Sequence, residues 1–298
     1  MWICALVLKT AIDVQNAESD ADRGDHNKSE EGVITLVIAC LSTAKFLEAI
    51  EETLYHIPPF IRLFIPSFHP EGFKMIFQDL DRIVFAGDSV TDMGSVNPVG
   101  EGLFDNLGHS YVRVIENLLS ALYPEVHLRI TNSGISGNTS RGLLARWERD
   151  VRALNPQWVS ICIGINDVWR QFDSPAMPDQ MVPLEEYREN VRKMILTEKP
   201  HCKGIFLMTP YYMEPNAGDY MRAKMDEYGA ICKELAEEYG CIFVDLQAMF
   251  SKYCSIRHSS YLAWDRVHPN QIGATLIALE WLKHCDLERL HAENDTDR

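Results

Sequence analysis

Asp265 and His268 stand three residues apart in AWDRVHPN, and Pro269 follows at once. The proline ring disfavours helix for the residue before it, so His268 is expected in an extended or turn conformation. A carboxylate fixed beside an imidazole has two readings. One is an ion pair in a loop. The other is an aspartate that orients a histidine base for a nucleophile elsewhere in the chain. Ser89 of GDSVTD is the candidate nucleophile, because it follows an apolar run at a turn. Its plain alternative is a helix cap, a common use of serine after a strand. No GxSxG surrounds it, so the nucleophile elbow of α/β-hydrolases is absent.

Acyl transfer passes through a tetrahedral intermediate whose negative oxygen needs fixed N–H donors. Gly137 of NSGISGNT and Asn166 of GIND could supply two, with the Ser89 backbone N–H as a third. The plain readings are a positive-φ turn for Gly137 and a capping or turn residue for Asn166. Trp264 and Trp169 flank these motifs and could stack on a sugar face; core or rim packing accounts for them equally well. Asp92, Arg170 and Arg266 are nearby charges that read as solvated or paired, and YYMEP reads as a pocket wall.

These residues need elements to hold them. RIVFAG, VHLRITNSG, WVSICIG, KGIFLMTP and CIFVDL are apolar runs that read as strands. HSYVRVIENLLSALY, TSRGLLARWERDVRALNP, LEEYRENVRKMILTEKP and YMRAKMDEYGAICKELAEEYG lie between them with helical spacing, and NQIGATLIALEWLKHC closes the series. The alternation predicts an α/β protein: a three-layer α/β/α sandwich around a five-stranded parallel sheet. Ligands bind such sheets outside the carboxyl ends of the strands. The motifs with Ser89, Gly137 and Asn166 follow the first, second and third strands, and the Asp265–His268 pair lies after the fifth.

The chain has 298 residues, of which 46% are apolar and 24% charged, which suits one large domain or one domain with an extension. A net charge of -15 would repel a phosphate backbone, so nucleic acid is excluded as a partner. The eight cysteines form no CxxC and no zinc-finger spacing. Cys162 and Cys241 lie in apolar runs and read as small core thiols, which favours a reducing, cytoplasmic compartment. Val33 to Ala44 is apolar but short of the roughly 20 residues a membrane helix needs. It follows acidic SEEG rather than a basic start, so neither an export signal nor a membrane anchor is expected. The polar stretch 16–32 reads as disordered, and IPPFIRLFIPSFHP as a docking arm or part of a leader. The expected division is an N-terminal extension over 1–74 and a folded domain over 75–298. No third ligand stands near Asp265 and His268, so no metal is expected.

GDSVTD, NSGISGNT, GIND and WDRVHPN, in this order, resemble the four blocks of the SGNH, or GDSL, hydrolases. Valine stands where many members have the leucine of GDSL. The resemblance runs from about Met75 to about Leu290. It implies the flavodoxin-like SGNH fold, Ser89 as nucleophile and His268 as base and then acid. Asp265 would orient His268, Gly137, Asn166 and the Ser89 amide would form the oxyanion hole, and no cofactor would be needed. EGLFDNLGHSYV, WVSICIGINDVWRQFD, KGIFLMTPYYMEPN and LAWDRVHPNQIG are more narrowly similar to intracellular acetylxylan esterases, which remove O-acetyl groups from xylo-oligosaccharides. The expectation is therefore a serine carbohydrate esterase with an acetyl-enzyme intermediate and a small acetylated sugar as partner. A homo-oligomer is compatible with the sequence. The alternatives are a lipid or thioester hydrolase of the same superfamily and an inactive carbohydrate-binding protein.

Overall fold

Strand β1 (Arg82–Gly87) is buried at every residue after Arg82, as a strand covered on both faces must be. Its side chains divide by period two. Ile83 and Phe85 enter one core, Val84 and Ala86 the other. The computed structural model describes residues 75–102 and 104–286. The apolar Val33–Ala44 segment, the polar stretch 16–32 and IPPFIRLFIPSFHP lie outside the described residues.

The other strands are β2 (Gly100–Glu101), β3 (Arg129–Gly134), β4 (Trp158–Cys162), β5 (Gly204–Met208) and β6 (Ile242–Val244). They make one sheet of order β2-β3-β1-β4-β5-β6. Four pairings are parallel, with Ile83 opposite Trp158 and Arg82 opposite Arg129. The edge strand β2 runs antiparallel to β3 and corrects the expected five-stranded parallel sheet. Two residues are too short for a readable apolar period. Glu101 holds this edge, meeting Arg129 at 2.7 Å and Arg82 at 3.5 Å.

Eight helices complete the described part: α1 (Ser89–Asp92), α2 (Tyr111–Leu122), α3 (Ser140–Asp150), α4 (Ile165–Asp173), α5 (Leu184–Glu198), α6 (Tyr220–Tyr239), α7 (Leu246–Cys254) and α8 (Gln271–Leu282). Their starts are set by short polar side chains. Ser110 caps α2, Thr139 caps α3, and Asp219 and Asn270 each accept two backbone N–H groups at α6 and α8. Helices α2 and α8 pack on one sheet face, where Trp281 stacks on Phe206 at 4.4 Å and meets Phe85 at 5.2 Å. Helices α3, α5 and α6 cover the other face with Leu143, Val191 and Ile231.

Three details depart from the sequence reading. The GIND motif continues into α4, and α7 intervenes between the last strand and the Asp265–His268 segment. Cys162 is buried as expected, but Cys241 is only half-buried, because it precedes the edge strand β6.

Candidate active site

The chain leaves β1 through Gly87 and Asp88 and enters α1 at Ser89. Only glycine fits at 87, since a Cβ there would stand 2.3 Å from Thr91 Oγ1 and 2.5 Å from the Cys162 carbonyl oxygen. Asp88 then caps the short helix, accepting the Val90 N–H at 3.0 Å. Burial pushes the Asp88 carboxyl up to about 7, with the Asp167 charge adding and the Val90 N–H opposing. Ser89 itself is half-buried.

Its hydroxyl meets His268 Nε2 at 2.8 Å, across 179 residues of chain. His268 Nδ1 meets Asp265 Oδ2 at 2.6 Å. The other carboxylate oxygen accepts the Val267 and His268 backbone N–H groups, each at 2.9 Å. Burial alone would raise the Asp265 pKa. The His268 ring and these backbone donors outweigh it and hold the carboxyl below its ordinary 3.8. An ionised carboxylate therefore fixes Nδ1 as the protonated nitrogen and leaves Nε2 free to accept from the hydroxyl.

β3 delivers the loop that carries Gly137. Asn132 anchors its approach by donating to the Thr91 and Leu107 carbonyls at 2.7 and 2.9 Å, and it accepts the Gly134 N–H. Asp92 is buried and takes both the N–H and the hydroxyl of Ser136, at 3.1 and 2.6 Å. It is thus paired, not solvated, and ties α1 to this loop. Gly137 has φ +82° with open space where a Cβ would stand, so backbone conformation selects glycine here. Its N–H makes no hydrogen bond among the described residues.

β4 delivers Asn166, on the first turn of α4. The Asn166 amide nitrogen donates to the Asn138 carbonyl at 2.9 Å, and its oxygen accepts from Arg170 at 3.1 Å. Asp167 beside it takes the Ser140 N–H and hydroxyl, joining α4 to α3, and burial raises its carboxyl to about 6.

Arg146 on α3 is the support that sequence reasoning missed. Its guanidinium donates to Asn138 Oδ1 at 2.7 Å, to the Ser133 hydroxyl and carbonyl, and to the Gly87 carbonyl at 3.0 Å. It also pairs with Asp150 at 3.3 Å. One side chain therefore links the ends of β1 and β3 to the glycine loop. A signal was present: Leu143, Arg146, Trp147 and Asp150 form one buried helical stripe that contains both charges.

Trp169 lies beside the site, its ring 5.9 Å from that of His268. Trp264 is 90% exposed and makes no ring contact there. Arg266 pairs with Glu214 of YYMEP, whose Tyr211 hydroxyl donates to the Val267 carbonyl at 3.1 Å.

A sandwich of this topology, with a serine after β1 hydrogen-bonded to a distant Asp–His pair, defines a serine hydrolase without a nucleophile elbow. The chain belongs to the GDSL-like lipase/acylhydrolase family, which it matches over residues 85–276. It is 50% identical over 208 residues to an acetylxylan esterase from Geobacillus stearothermophilus, covering 70% of this chain and 95% of that one. The crystal structure of a catalytic mutant of an acetylxylan esterase from the same organism superposes with a TM-score of 0.70 at 48% identity, over 71% of this chain and 96% of that one. An α/β hydrolase from the metagenome of Lake Arreo, Spain, gives 0.69 at 45% identity, over 71% and 98%.

Proposed function

We propose that this protein is a serine O-acetyl esterase acting on acetylated xylo-oligosaccharides or closely related sugars. The observation that carries this reading is the unbroken path from the Ser89 hydroxyl through the His268 ring to Asp265, at 2.8 and 2.6 Å. His268 takes the Ser89 proton as Oγ attacks the acetyl carbonyl. The oxyanion is held by the Gly137 N–H, the Asn166 amide and the Ser89 N–H. Collapse releases the sugar hydroxyl, protonated by His268, and leaves Ser89 acetylated. Water, deprotonated by His268, then frees acetate. Asp265 stays ionised throughout and holds the tautomer. The positive φ of Gly137 and its uncommitted N–H support the oxyanion role. The identity to an acetylxylan esterase supports the acetylated sugar.

Among the described residues no helix is long and apolar enough to cross a membrane. The six described cysteines are free thiols, which supports the cytoplasm as the place of action.

Acetate release from acetylated xylo-oligosaccharide by wild type and Ser89→Ala tests the proposal. The variant is expected to lose nearly all turnover; equal rates would refute the assignment. Strong preference for long-chain p-nitrophenyl esters over the acetate would refute the sugar-acetyl specificity while leaving the esterase intact.

A further inference from the structure

We infer that Arg170 is a positioning residue of the oxyanion hole, locking the Asn166 amide in the one orientation that presents an N–H to the reacting oxygen. The inference rests on the proposed role of Asn166 as an oxyanion donor.

An asparagine amide can flip, exchanging its acceptor oxygen for its donor nitrogen. The two neighbours of Asn166 forbid the exchange because each has a single polarity. Arg170 can only donate, and its Nη2 lies 3.1 Å from Asn166 Oδ1. The Asn138 carbonyl can only accept, and it lies 2.9 Å from Asn166 Nδ2. A flipped amide would face an oxygen with an oxygen and a guanidinium with an NH₂ group. In the observed orientation Nδ2 spends one N–H on Asn138 and keeps the other uncommitted among the described residues. The bond from a cation also draws electron density toward Oδ1, which makes the remaining N–H a better donor to a developing negative charge.

Arg170 is itself held in place. It lies one helical turn after Asn166, so α4 fixes their separation. Its other terminal nitrogen pairs with Asp173, and its guanidinium sits 5.3 Å from the Trp169 ring centre. Its side chain is largely buried at 26% exposure, so the replacement must keep its aliphatic stem, as methionine does.

The test is a double-mutant cycle on the full chain with acetylated xylo-oligosaccharide as substrate. Arg170→Met is expected to lower kcat roughly tenfold with KM within about twofold, a smaller loss than the roughly 10²–10³ expected for deleting the donor with Asn166→Ala. Arg170→Lys, which keeps a cationic donor, is expected to recover part of that loss. In the Asn166→Ala background Arg170→Met is expected to cost less than about twofold, because the amide it orients is gone. Equal losses in both backgrounds, or a change confined to KM, would overturn the inference, since Arg170 would then act on substrate or on Trp169. A crippled Asn166→Ala enzyme beside an unimpaired Arg170→Met would overturn this inference alone. Full kcat in Asn166→Ala would remove the oxyanion reading and this inference together.

Discussion

Asp265 accepts three hydrogen bonds, from the His268 ring and from the Val267 and His268 backbones. These donors hold its carboxyl below the ordinary range against the opposing effect of burial. Protonation of Asp265 is therefore displaced to lower pH than that of an ordinary carboxyl. Asp265→Asn keeps the shape and loses the charge, so the tautomer with a proton on Nε2 becomes available. The expected cost is on the order of 10⁴ in kcat, read from acetate release, with the thermal midpoint little changed. A loss below about tenfold would show that Asp265 is not the orienting carboxylate. The sequence made this pair visible because three residues and a proline confine it. It gave no sight of Asn138, whose side chain meets Arg146 while its carbonyl meets Asn166. An asparagine in a loop has no pattern that separates such a strut from an ordinary turn.

At the scale of elements, the glycine loop after β3 is secured by Asp92 from below and by Arg146 from α3. Arg146→Met is expected to destabilise the protein by roughly 3 kcal/mol, because removing one partner of a buried, hydrogen-bonded pair leaves the others unmet. Its kcat should fall as well, since Asn138 loses its anchor. Urea unfolding and steady-state kinetics check both; a fully stable variant would mean that Arg149, bonded to Asp150 at 2.5 Å, takes over the charge. Five strands and five long helices were legible from apolar period and from caps. Helix α4 was not assigned, although Ile165, Val168, Trp169 and Phe172 recur at helical spacing. Its nine residues begin inside a motif read for chemistry, and its start has no capping side chain. The edge strand β2 is two residues long and exists only through its pairing with β3.

Among the described residues burial lifts two carboxyls far above their ordinary range, Asp88 to about 7 and Asp167 to about 6. The native state keeps protons on them that the unfolded chain releases near 3.8. Their stabilising effect is complete below that value and is lost as pH rises through about 6 to 7. The urea midpoint should therefore decline across this window, and Asp88→Asn should flatten the decline. A variant with the wild-type slope would show that Asp88 is not the source. We further propose that residues 75–298 fold as an autonomous hydrolase domain. Met75 bridges Asp286, and the Ile76 N–H bonds the Cys285 carbonyl at 3.0 Å, so both ends of the described part close on each other. A fragment starting at Met75 should unfold cooperatively and retain kcat/KM; an unfolded or inactive fragment would refute the proposal.

The sequence by itself determined the α/β alternation and the order of the four motifs, and it singled out Ser89, Gly137, Asn166, Asp265 and His268 as candidates. Periodicity and fixed short spacing are local properties, and a one-dimensional string preserves them. Only the tertiary structure decided that Ser89 and His268, 179 residues apart, meet at 2.8 Å, and that Arg146 donates to the Gly87 carbonyl and Arg170 to Asn166. Those facts depend on which strand lies beside which and how each helix is turned. They are set by the packing of two cores on one twisted sheet, which no short window of residues encodes.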